Sequence, residues 1–467
     1  MAVMRFLFRS LLIILILAAV GAGGAFVWAG RQPGPTLQIR GPERFVGQAT
    51  SLDLMAEAPG GQFTALSATI EQNGKSFPIF TLDAAASPAR AADNSDRLYI
   101  IRPVGKRTVP DLQPGKARIT VTASRPLLRG WRQATTTATR DVEVRLDPPR
   151  VAVLSTFHYI NQGGAEFVVY SATPSDVESG VRVGMRTYRG FPGSAVGLKD
   201  PALHVAFFAL LHDQSATTPI DVYARDAAGN QAVQALDHMP FAKQFAKSRI
   251  PIDDAFLQKV VPPIVQNTPG LGLSTAPDAL LASFLTINGD LRRQNAETIA
   301  SLAEKSAAQM LWTEAFKPLG NAAVEARFAD ARTYVYQGKD VDQQTHLGFD
   351  LAVTAHVPIA AAQRGVVVHA AYLGIYGNCV ILDHGLGVLT LYGHMSEIGV
   401  KVGDRVEKGQ VIGRSGTTGL AAGDHLHFTV LVGGSPVNAV EWWDPKWMQD
   451  RVFRKISDAG GAPTGVR

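Results

Sequence analysis

The chain has 467 residues, 46% of them hydrophobic and 18% charged, with a formal net charge of +5. That balance describes globular domains, about three at this length, and a mild charge with no basic run and no basic-aromatic interleaving excludes a nucleic-acid partner. A single cysteine, Cys379, excludes intrachain disulfides and reads as a buried thiol in a strand.

Arg5 and Arg9 precede an apolar run over residues 11–30, about twenty residues and so long enough to cross a bilayer as a helix. The run continues past the small trio Gly21-Ala22-Gly23 and ends near Trp28, where interfacial aromatics gather, so it reads as an uncleaved anchor. The arginines favour a cytoplasmic N-terminus and place the remainder outside the cytoplasm, in the periplasm or cell envelope. No cysteine follows the run, which excludes lipid attachment there.

After Pro33-Gly34-Pro35, short apolar runs alternate with turns over residues 36–146. Residues 117–123, after Pro114-Gly115, predict a strand of period two. A second β-rich segment covers 149–240, and its stretch 220–230 resembles the last hairpin of a bacterial immunoglobulin-like domain. Two β-sandwiches are expected. His158, His204, His212 and His238 are scattered through the second segment and read as structural.

Residues 250–320 change to helical periodicity and predict an arm. One helix is expected over 253–261, stopping before Pro262-Pro263; a second starts at Thr275-Ala276-Pro277-Asp278 and ends at Asn288-Gly289; a third runs from about 290 to 309. Such an arm packs against its own domain. A last segment, 321–450, reads as strands and turns.

Seven of the eleven histidines fall in residues 345–428. Three strings stand out: His346-Leu347-Gly348-Phe349-Asp350, Tyr392-Gly393-His394-Met395 and His425-Leu426-His427-Phe428. In a strand, His425 and His427 share one face while Leu426 and Phe428 turn to the core. A hydrolytic zinc ion takes about three nitrogen and oxygen ligands and leaves a position for water. His346, Asp350 and one histidine of the pair supply that set, with the other histidines free for chemistry. His384 reads as part of a hairpin turn, and His356 and His369 as ordinary strand or loop residues.

The segment resembles the lysostaphin-type (LytM-like) zinc metalloendopeptidases in its H-x-x-x-D, Y-x-H-[LM] and H-L-H-F strings, over the last quarter of the chain. The runs 374–384 and 400–416 and the pair Thr418-Gly419 match as well. The resemblance implies His346, Asp350 and His427 as ligands of Zn2+, and His394 and His425 as the catalytic pair. It implies an all-β peptidase core with a narrow groove, and the short peptides that crosslink peptidoglycan as substrate. Asp424 and Thr429 depart from the pattern, standing where a proline often precedes H-L-H and a glutamate commonly follows Phe.

The fold class expected is therefore multidomain and mainly β: a transmembrane helix (1–30), two β-rich domains (36–146 and 149–240), a helical arm (250–320) and a peptidase domain (321–450). Every residue the chemistry needs lies after Thr345, so 321–450 alone should hydrolyse wall peptides. Two other readings compete. One is a non-catalytic envelope regulator that activates another wall hydrolase through a protein partner. The other is a transport adaptor, since residues 402–413 resemble a lipoyl-type hairpin. No H-E-x-x-H, nucleophile elbow or phosphate loop is present.

Overall fold

The computed structural model describes residues 2–59, 62–83 and 96–462. It divides into two compact units, Met1–Pro148 with Arg225–Gln231, and Pro149–Ala224 with Ala232–Arg467. Strand dominates over helix, as expected from the turn-punctuated sequence.

In the first unit the helix Ala2–Ala29 carries an apolar stretch, Phe6–Ala29, long and apolar enough to cross a membrane by length and composition. Its large apolar side chains, from Phe6 to Trp28, are exposed. A three-stranded sheet (Thr36–Gly41, Thr50–Glu57, Arg97–Val104) and a five-stranded one (Phe45–Val46, Arg132–Val144, Gly115–Leu127, Ala65–Gln72, Lys75–Asp83) follow. Leu52, Leu54 and Ile70 share one apolar core with Ala117, Ile119, Val121 and Ala123, the predicted period-two face.

The second unit opens with two four-stranded sheets. One is ordered Phe191–Pro192, Leu203–Leu210, Gly164–Thr173, Arg150–Val153; the other Arg186–Arg189, Glu178–Val183, Ile220–Arg225, Gln231–Ala235. The scattered histidines are structural here: His158, His204 and His238 each place a ring nitrogen on a backbone carbonyl.

The helical arm departs from expectation twice. The first helix, Asp254–Asn267, runs through Pro262 and Pro263 instead of stopping before them. Asp253 caps it by accepting the Phe256 N–H at 2.8 Å, and Leu257, Val260, Val261 and Ile264 are buried along one face, which offsets the donors the prolines lack. The second departure is at Asn288-Gly289, which ends no helix: Leu280–Thr286 passes through a wide π-turn, Ile287–Leu291, into Arg292–Ala303. That turn buries Ile287 and Leu291 together, and Asn288 donates to the Asp342 carboxylate at 2.7 Å. The arm's apolar face packs on Tyr334 and Ile375 of the final domain.

That domain is built on one large sheet. Its order is Ala323–Ala326, Phe349–Ala352, His425–Val432, Val388–Met395, Asn378–Asp383, Gly365–Tyr372, Arg405–Val406, with Ser435–Val437 paired to His425–Val432. A smaller sheet places Asp330–Tyr336 between Lys339–His346, antiparallel, and Lys247–Ile252, parallel. The strand containing Tyr334 is thus the central one of the three. His384 sits fully buried at the end of the 378–395 hairpin, bonded to the Arg364 carbonyl and the Thr390 hydroxyl.

Candidate metal and catalytic centre

Five side chains converge on one face of the large sheet. Phe349–Ala352 runs antiparallel to His425–Val432 with Asp350 opposite His427 and Ala352 opposite His425. Strand alternation puts Asp350, His425 and His427 on the same side, while Leu426 and Phe428 join the core. His346 enters from the end of Lys339–His346.

Alternation alone would turn His394 away. Its neighbour Gly393 is the residue paired with His427, so the next side chain belongs on the opposite face. A register shift against Asn378–Asp383 and a positive φ of 62° at His394 turn it back. Its ring centroid lies 4.8 Å from that of His425 and 5.7 Å from that of His427.

The donor atoms are close. His346 Nε2 and His427 Nδ1 each lie 2.9 Å from Asp350 Oδ1 and 3.1 Å from each other. His425 Nε2 is 3.6 Å from the same oxygen.

Hydrogen bonds on the far side of each ring decide which nitrogen faces inward. His346 Nδ1–H donates to the Arg327 carbonyl (3.1 Å), His394 Nδ1–H to the Thr418 carbonyl (2.8 Å) and His425 Nδ1–H to the Gly423 carbonyl (2.9 Å). Thr429 gives its own proton to the Leu347 carbonyl, so its oxygen accepts from His427 Nε2–H at 3.0 Å. In neutral rings this leaves His346 Nε2, His427 Nδ1 and Asp350 Oδ1 as three acceptors in mutual contact with no donor among them. Such a cluster needs a cation at its centre, and the set of two imidazoles and a carboxylate fits zinc.

Electrostatics agree. Burial disfavours charge on Asp350, yet His346, His425 and His427, wherever a ring gains a proton and becomes a donor, hold its pKa well below the carboxylate range, as a bound cation would. Burial pushes His427 down to about 4, and burial beside His425 and His427 holds His394 well below its usual value. Burial also opposes charge on His425, but Asp350 outweighs it and the pKa is raised.

All five residues picked out in the sequence are brought together, and His356 and His369 stay outside, bonded to Ser396 and to the Ala371 carbonyl. Sequence reasoning missed three neighbours. Thr429 was noted only as a departure; Tyr376 sets its ring 5.4 Å from that of His427, tilted by 52°; Arg332 donates to Asp350 Oδ2 at 3.0 Å from a strand that precedes Thr345. The signal for Arg332 was the period-two pair Asp330 and Arg332, which identifies a shared face but not what that face meets.

Two imidazoles and a carboxylate beside two further imidazoles are the equipment of a hydrolytic metal centre. Residues 344–439 match Peptidase family M23, and the chain carries an M23 domain of LytM type there. Peptidoglycan DD-endopeptidase ShyA of Vibrio cholerae is 43% identical over 96 residues, 21% of this chain and 22% of the relative. DD-carboxypeptidase/endopeptidase Mpg of Neisseria meningitidis is 41% identical over 95 residues, 20% of this chain and 22% of the relative. The lysostaphin catalytic domain of Staphylococcus simulans overlays with a TM-score of 0.21 at 26% identity, covering 31% of this chain and 96% of that one. The chain thus spans about a fifth of the length of the curated relatives it matches.

Proposed function

We propose that this protein is a zinc-dependent endopeptidase that hydrolyses the peptide crosslinks of peptidoglycan. The observation that carries the reading is the convergence, within the M23 segment, of three acceptor atoms at about 3 Å beside two further imidazoles. His346 Nε2, Asp350 Oδ1 and His427 Nδ1 would hold the metal. A zinc ion held there would supply Lewis-acid polarisation of the scissile carbonyl and of the attacking water near neutrality. His394 and His425, each with Nδ1–H committed to a backbone carbonyl, keep Nε2 as a proton acceptor. Either nitrogen can take a proton from the attacking water and, once charged, return it to the leaving amine or steady the oxyanion.

The apolar helix is read as a single-pass anchor, with Arg5 and Arg9 inside and the peptidase in the periplasm or envelope. The paired sheets of the two upstream segments are read as immunoglobulin-like sandwiches. Purified wall material treated with the ectodomain, with products identified by mass, tests the function. Crosslinked muropeptides should disappear, and His346→Ala, Asp350→Ala and His427→Ala should lose zinc and activity together. His394→Ala and His425→Ala should keep zinc and lose turnover. An ectodomain that binds wall but releases no product would favour a regulator that activates another hydrolase.

A further inference from the structure

We propose that Arg332, which precedes the M23 segment, is a positioning residue for the metal centre, dividing the Asp350 carboxylate so that Oδ2 is held outward and Oδ1 is left for the cation. This rests on the metal reading given above. Arg332 Nη2 donates to Asp350 Oδ2 at 3.0 Å, while Oδ1 is the oxygen that His346, His427 and His425 approach. With Oδ2 occupied, the carboxylate is fixed as a one-oxygen ligand in a single orientation.

A cation beside a metal site ought to weaken it, and here a second carboxylate resolves the conflict. Arg332 Nε also donates to Asp330 Oδ2 at 3.3 Å, and Asp330 accepts from the Ser248 hydroxyl at 2.8 Å. Asp330 and Arg332 sit two residues apart on one strand, so both face the site side of the small sheet. All three charged side chains are largely buried, at 7% (Asp330), 20% (Arg332) and 12% (Asp350) side-chain exposure. Asp330 offsets the guanidinium charge, and Asp350 keeps its full negative charge for the metal. The chain Ser248, Asp330, Arg332, Asp350 therefore links the strand Lys247–Ile252, just before the helical arm, to a metal ligand. A guanidinium fork reaches two carboxylates at once, which a single ammonium cannot do with the same geometry.

The test measures zinc affinity of the ectodomain by competition with a chromophoric chelator, alongside the visible spectrum of the cobalt-substituted protein and thermal melting. Arg332→Met should lower zinc affinity roughly 10–100-fold, the range seen when a partner of a metal ligand is removed, and should alter the cobalt spectrum. Arg332→Lys should recover part of that loss. Asp330→Asn leaves an unbalanced cation facing the site and should also weaken binding several-fold. Arg249→Met, on the exposed Arg249–Asp340 pair of the neighbouring strand, should change nothing. Arg332→Met with wild-type affinity and spectrum overturns the proposal, as does tighter binding. If Arg332→Met does not fold, Asp330→Asn decides, and unchanged affinity there overturns it. A wild-type ectodomain that binds no zinc would instead overturn the metal reading itself.

Discussion

Thr429 shows how a single side chain sets a ring's chemistry. A substitution at this position could be expected to alter the groove, yet Thr429 is buried beneath His427 and fixes its tautomer. Gly348 makes room for this contact, since a Cβ there would lie 2.5 Å from His427 Nε2 and 2.6 Å from the threonine hydroxyl. Thr429→Val keeps the shape but leaves a buried N–H without an acceptor, a cost of about 1–3 kcal/mol. The ring is then free to present the wrong nitrogen. Zinc affinity should fall by roughly tenfold or more, and Thr429→Ser should restore it. Equal affinity in Thr429→Val and wild type, measured with a chelator, would remove Thr429 from this role. His346, Asp350, His425 and His427 were legible because their spacing is local or alternates along one strand, whereas His394 was picked out only by the resemblance of its Tyr392-Gly393-His394-Met395 string. Thr429 and Arg332 were not, because what each touches depends on strands brought together from distant parts of the chain.

At the scale of elements, the tight turn after Gly374–Tyr376 carries the alignment of His394. Gly377 has φ 62° and ψ −144°, a region closed to side chains, and a Cβ there would run into the Thr418 backbone. Thr418 ties two strands: its hydroxyl accepts from Asn378 N–H and donates to the Met395 carbonyl, both at 2.9 Å, and its carbonyl holds His394 Nδ1. Gly377→Ala should therefore displace Thr418 and misalign His394 while sparing His346, Asp350 and His427. Zinc content should stay near one per chain while turnover falls by about a hundredfold, the low end of what general acid–base catalysis contributes. Full turnover in a stoichiometrically loaded Gly377→Ala variant would sever this link. Local signals were weaker guides elsewhere. Pro262-Pro263 and Asn288-Gly289 both read as helix stops, and both lie inside helices because a buried apolar face outweighs a few missing or strained backbone bonds.

At the scale of the whole molecule, the packing around 321–450 bears on whether that segment stands alone as a peptidase. One apolar core joins the final domain to the sheets that precede it, with Trp312 and Trp442 packed on Phe207 and Phe316 packed on Trp442. A cut at 321 removes Trp312, Phe316, Phe207 and the strand Lys247–Ile252, and a cut at 450 removes Lys455. The 321–450 fragment should melt well below a 149–462 fragment, and equal melting temperatures would restore the autonomous picture. The same junction sets a pH dependence. Glu441 accepts from Ala165 N–H (2.8 Å) and Asn161 Nδ2 (2.7 Å), next to the buried pair of Lys455 and Glu166 (2.8 Å). Burial pushes the Glu441 pKa up to about 7, from an ordinary value of 4.5. The native state therefore holds a proton that the unfolded chain releases between those values. Stability from this group is complete below pH 4.5, declines as pH rises, and is exhausted above pH 7. The decline amounts to about 3 kcal/mol at most. Glu441→Gln cannot ionise, so urea midpoints of wild type and variant should converge near pH 4.5 and separate in the variant's favour towards pH 7. Parallel curves across that range would mean that Glu441 does not titrate at this junction.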